Sequence, residues 1–168
     1  MRSKIILTTI LLVLTLHSYG QGSWENWDRN YKEKDYKEII NAEKQYADSV
    51  EQNKEIPQYY SRFDKYKITA KLIGETRPID CEVFMSMKRV FSLFFGNPSR
   101  LDGLIFNEYL FEIDGSEVWM PIQVQLENPL INEIDKGTET FLYCLFLNEH
   151  NQDGKLFNTF LISEFRKK

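Results

Sequence analysis

Three side chains invite a nucleophile or metal reading: Cys81, Cys144 and His150. A thiol beside an imidazole is the dyad of a cysteine nucleophile, because the base takes the thiol proton. Both cysteines, however, sit inside alternating apolar runs, where thiols are usually buried and inert. No Cys-x-x-Cys spacing occurs, which argues against thioredoxin-type exchange. Of the two histidines His17 lies within the first twenty residues, and His150 with two distant cysteines fits no zinc pattern. Asn148, Glu149, Asn151 and Asp153 crowd oxygen donors into one short loop. That loop lacks the glycine and closing glutamate of a calcium loop at their spacings, so a solvated hairpin turn is expected. The eight glycines are scattered, without a G-x-S-x-G elbow or a phosphate-cradling loop. The residue types therefore predict no enzyme, no metal and no cofactor.

The first twenty residues bear on where the chain works. Arg2 and Lys4 precede an apolar run from Ile5 to Leu16, broken only by Thr8, Thr9 and Thr15. Ser18 and Gly20 then supply small residues at a plausible cut. At about twelve residues the run is shorter than the ~20 that a spanning helix needs. Residues 1–20 are expected to be a signal peptide, and the mature chain, from Gln21, to be periplasmic or extracellular without a membrane span. No cysteine follows the cut, so a lipoprotein route has no acceptor. Cleavage removes two of the 21 basic residues and none of the 25 acidic ones, leaving 19 against 25 and a net charge of −6. So acidic a chain is a poor general binder of nucleic acid or anionic membrane. In an oxidising compartment Cys81 and Cys144 form an even pair that suggests a disulfide, two buried thiols being the alternative.

The elements that must position these residues follow from periodicity. The 168 residues are 42% hydrophobic and 27% charged, enough for one core with a helical extension. From Ser23 to about Glu55, Tyr36, Ile39, Ile40, Tyr46, Ala47 and Val50 form one apolar stripe at 100° per residue. This predicts a long amphipathic N-terminal helix within residues 21–58, ended at Pro57. The period then falls to two: Tyr66, Ile68, Ala70 and Leu72 alternate with Lys65, Lys67, Thr69 and Lys71, a half-buried strand. Gly74 to Pro78 reads as a turn. From Ile79 to Phe95 the odd positions stay apolar except Arg89, which favours a strand. A helical face of Val83, Phe84, Met87, Val90, Phe91 and Phe94 is the alternative.

Leu104–Ile113 and Glu117–Gln125 read as a hairpin turning at Asp114 and Gly115, with Pro121 marking an edge or bulge. Asn128 and Pro129 predict a short helix over Leu130–Asp135, stopped at Gly137. Residues 140–147 are apolar on both faces, as in a central strand, and residues 156–165 form the last strand.

The order of a helix, three strands, a short helix and two strands resembles the OB-fold, a small five-stranded Greek-key barrel. The expected class is α+β, mainly β, with an OB-like barrel over residues 59–168. A different small α+β sheet with the long helix across one face is the rival. OB-folds hold extended ligands on their second and third strands, a surface that would carry Phe84, Lys88, Trp119 and Gln123 here. A tryptophan near amides suits stacking on a sugar or clamping a peptide. The alternative is that the long helix covers Phe84 and Trp119. Lys65, Lys67 and Lys71 fit a phosphate backbone, but the acidic balance favours reading them as a charged strand that discourages edge pairing. The expectation is a non-catalytic exported module for a protein or peptide partner. A binder of oligosaccharide or single-stranded nucleic acid on the same face is the alternative.

Overall fold

The computed structural model describes residues 24–168 apart from 56 and 58; the expected signal peptide lies outside them. In chain order the elements are helix α1 (Trp24–Asn30), strand β1 (Lys32–Glu33), α2 (Tyr36–Gln52), β2 (Tyr60–Pro78), α3 (Cys81–Phe95), a 3-10 turn (Pro98–Leu101), β3 (Ile105–Ile113), β4 (Ser116–Gln123), α4 (Val124–Glu133), β5 (Glu139–His150) and β6 (Leu156–Lys167). The chain divides into two units, Met1–Asn30 and Tyr31–Lys168. Of the first, α1 is a seven-residue helix with Glu25 in its first turn and Arg29 in its last, and it buries no residue.

The second unit is a mixed α and β body around one six-stranded sheet. β2, β3 and β4 form an antiparallel meander, and β5 returns to pair with β2, which is the Greek-key order. β6 pairs antiparallel with β5 and meets β4 in parallel at Ile122 and Ile162. The hydrogen-bonded order thus runs β2-β3-β4-β6-β5 and back to β2, a ring, with β1 added in parallel outside β2. Its interior holds Ile68, Phe111, Met120, Ile122, Leu142 and Ile162, each nearly inaccessible. The alternation expected of β2 and the two-faced burial of β5 are both present, because β5 lies between β2 and β6. Among the described residues no helix is long and apolar enough to cross a membrane.

Four sequence expectations are corrected. The single long N-terminal helix is two helices parted by β1, because Lys32 and Glu33 pair with Tyr66 and Lys67 and Asp35 then caps α2, accepting from the Glu38 N–H at 2.9 Å. The turn expected at Gly74–Pro78 lies inside β2. There the register with β3 slips between Leu72 and Thr76, and Gly74 takes φ +88°, the conformation that favours glycine. The short helix begins at Val124, whose N–H bonds to the Leu104 carbonyl at 2.8 Å, so Pro129 lies within it.

The largest correction is at residues 79–95, expected as a strand and found as α3. Its two ends decide the matter. The Asp80 side chain accepts from the Glu82 and Val83 N–H groups at 2.8 and 3.1 Å, and Gly96 closes the helix at φ +73°. The 3.6-period face then buries Met87 and Val90 completely against Leu147 and Leu161, worth about 2 kcal/mol for each such side chain.

Beyond the ring, β2, β5 and β6 continue as a three-stranded sheet with a helix on each face. Even-numbered residues meet α2, through Tyr60 with Tyr46, Arg62 with Glu43 and His150 with Glu51. Odd-numbered residues meet α3, through Phe63 with Phe95 and Glu149 with Arg89. The charged exception on the apolar face of α2, Glu43, is buried. Arg62 donates to its Oε1 at 3.0 Å, while Oε2 has no partner among the described residues. Burial pushes the carboxyl above its ordinary pKa, outweighing the Arg62 charge.

Two predictions follow from these contacts. Asp80→Ala is expected to lower stability by about 1 kcal/mol in urea denaturation, since it removes a helix cap; a strand at 79–95 would leave the midpoint unmoved. For Glu43, the folded state holds the proton more tightly. That stabilisation is full below the unfolded value of 4.5 and lost as pH rises through the raised folded value. Glu43→Gln is therefore expected to match or exceed the parent in urea at neutral pH and to lose ground to it on acidification. A parent that weakens relative to the variant below pH 5 contradicts this.

Candidate functional site

Trp119 and Gln123 stand on β4, whereas Phe84 and Lys88 stand on α3. The expected face therefore does not form as one surface of two strands. The Arg77 guanidinium lies 4.2 Å from the centre of the Trp119 ring, and its Nε donates to Glu108 at 2.8 Å. Glu108 is only 2% exposed. One face of the tryptophan is thus taken by a cation that also neutralises a buried acid. Lys88 sits over Phe84 at 5.7 Å and pairs with Asp102 at 2.7 Å, and Phe84 packs on the cluster beneath α3. No hydrogen bond, ion pair or ring contact joins one pair to the other among the described residues. α2 packs on the opposite face of the extended sheet from α3, so it does not cover Phe84.

The other sequence candidates are largely committed elsewhere. Lys67 is almost buried and pairs with Glu33 at 2.7 Å, Lys71 pairs with Glu112 at 3.2 Å, and Lys65 lies over Tyr31 at 5.8 Å. Both cysteines are free thiols, so the bridge is not formed. Cys81 is exposed at the start of α3, while Cys144 lies inside the ring, where burial pushes its pKa up. Cys144 and His150 share β5 six residues apart, about 20 Å along an extended strand, too far for a dyad. Of the loop oxygens, Asn148 bonds Asn158 at 2.7 Å and Glu149 is held by Arg89. Asn151 Oδ1 accepts from the Asp153 and Lys155 N–H groups at 3.0 Å each. That Asn151 turn, with Gly154 at φ +72°, joins β5 to β6.

A cleft of about 540 Å³ opens beside this turn, lined by Tyr59, Tyr60, Ser61, Arg89, Leu93 and residues 149–153. The start of β2, the end of β5, the β5–β6 turn and the outward face of α3 build it. Its floor is an Arg89–Glu149 pair, bidentate at 2.6 and 2.6 Å. The carboxylate bond raises the guanidinium's pKa. Behind the pair, His150 is 2% exposed, stacked on Tyr60 at 5.4 Å, with Nε2 at 3.0 Å from Glu51. Burial raises the Tyr60 hydroxyl to about 12, and that hydroxyl has no hydrogen-bond partner among the described residues.

The rim is apolar. Leu93 is 69% exposed and Tyr59 57%, while Phe94 and Phe95, at the end of α3, pack toward Phe63. Phe63 and Phe91 support them, with rings 4.9 and 4.5 Å from Phe95. The sequence expectation put Phe84 and Lys88 beside Trp119 because it took residues 79–95 for a strand. The signal available was Arg89, the one charged residue among the odd positions from 79 to 95.

Such a floor holds a fixed shape, with the Arg89 and Glu149 charges set against each other. Arg89→Ala is expected to cost about 2 kcal/mol, discounted for the half-exposed guanidinium, because it strands the buried Glu149 carboxylate. Adding Glu149→Gln is expected to restore most of that loss in urea denaturation; no recovery would remove the pair from this role. Compared with known proteins, the chain matches no family model, no curated protein and no solved structure.

Proposed function

We propose that the chain is a non-catalytic, exported binding module built on an OB-like barrel, which engages a protein or peptide partner in the cell envelope or outside the cell. The Greek-key ring of β2 to β6, with α4 between its third and fourth strands, supports the OB reading. In that arrangement α3 belongs to the connection after the first ring strand, and the Asn151 turn joins the fourth to the fifth. These are the two connections with which OB-folds grip extended ligands. The cleft opens between them.

One observation carries the reading: two exposed large apolar side chains, Leu93 and Tyr59, line a concave cleft with a polar floor. Exposed apolar groups that are clustered and rimmed by polar ones mark interaction surfaces. Tyr59 beside the Asn151 and Gln152 amides supports oligosaccharide as the second reading, since ring stacking with amide bonding suits a sugar. Nucleic acid is disfavoured by the acidic balance and by the pairing of Lys67 and Lys71.

The test is affinity capture from the producing cell's envelope fraction, with the full chain beside Leu93→Ser and Trp119→Ala copies as bait. A partner is expected on the parent and on Trp119→Ala, with retention about tenfold lower on Leu93→Ser, the scale of a rim anchor in an interface. Equal retention by all three moves the face away from the cleft. Capture of glycan and not of protein replaces this reading with the second.

A further inference from the structure

We infer that the cleft selects a cationic, extended peptide in which lysine or arginine alternates with large apolar side chains. The inference rests on the binding-module reading and adds the chemistry of the partner. Two carboxylates line the cleft, Glu149 and Asp153, against one guanidinium, Arg89. Glu51 reaches the same turn: its Oε1 lies 3.7 Å from the place a Cβ on Gly154 would occupy. The Asp153 carboxylate makes no hydrogen bond or salt bridge among the described residues; its field acts on Arg89 and on Lys155, which is itself paired with Glu82. Although Arg89 occupies both Glu149 oxygens, each carboxylate oxygen has a second lone pair. A single added cation therefore finds acceptors on the turn side of the cleft, with excess negative charge to attract it.

Leu93 lines the cleft from α3, and Tyr59 lines it from just before β2. An extended chain sends successive side chains to opposite sides. Lying between α3 and the turn, it places apolar side chains on Leu93 and basic ones toward Asp153 and Glu149. An acidic peptide in the same pose meets like charge, and a purely apolar one leaves Asp153 facing an uncharged neighbour. Charge complementarity of this kind sets specificity and encounter rate more than total affinity.

The experiment is selection of a phage-displayed library of random dodecamers on the full chain. Affinities of the recovered peptides are then measured for the parent, Asp153→Lys and Leu93→Ser at low and high salt. Enrichment of lysine or arginine alternating with leucine or aromatics is expected. Affinity should fall about tenfold in Asp153→Lys, and raised salt should weaken binding to the parent more than to that variant. Acidic or neutral peptides that bind and are lost in Leu93→Ser overturn the cationic preference and leave the cleft module standing. Peptides unaffected by either substitution, or no enriched peptide at all, overturn both.

Discussion

The whole arrangement depends on one long strand pairing. β2 runs antiparallel to β5 without a break from Tyr60 opposite His150 to Lys71 opposite Glu139, then hands its hydrogen bonds to β3. A strand shared between two partners in this way has to bend, and the slip around Gly74 supplies the bend. Closing β5 onto β2 removes the open edge that a simple meander would leave. Because both strands overshoot the ring, they also project the small sheet on whose two faces α2 and α3 settle. The cleft exists where that projection ends.

Three buried acids decorate this framework, and each is held in the same manner. Glu43, Glu108 and Glu149 are almost inaccessible, and each pairs with an arginine that remains partly in water: Arg62, Arg77 and Arg89. Two of those guanidinium groups lie over aromatic rings, Arg62 on Tyr46 and Arg77 on Trp119. The planar, weakly hydrated guanidinium bridges apolar surface and carboxylate at once, which an ammonium does less well. Buried pairs of this kind add little net stability because desolvation offsets attraction. Their effect here is positional: they register α2, the β3–β4 face and α3 against the strands.

Much of this was legible in the chain. Alternation located the first half of β2 and the arms of the hairpin, and a run apolar on both faces located β5. The positive φ angles of Asp114 and Gly115 are what an Asp-Gly hairpin turn requires. The bulge opposite Pro121 is where a residue without an N–H belongs. Residues 79–95 were harder, since Val83, Met87 and other apolar positions satisfy a period of two and of 3.6 together. Local capping chemistry at Asp80 and Gly96 settles that ambiguity, and it was visible in the sequence. The apolar run simply outweighed it. The face expected of Phe84 and Trp119 does not form for the same reason, since it requires 79–95 to be a strand.

The sequence by itself determined the element types wherever one period dominated, the turns where glycine or asparagine is required, and the acidic balance. These are local properties, decided by sterics and side-chain alternation within a few residues. Only the tertiary structure decided that β5 closes on β2, that α2 and α3 take opposite faces, and that Tyr59, Arg89, Leu93 and Glu149 meet around one cleft. Arg89 and Glu149 lie sixty residues apart in the chain, within hydrogen-bond distance in space. No short-range signal links them. Their meeting depends on the register of a long-range strand pairing, fixed by which faces can be buried together.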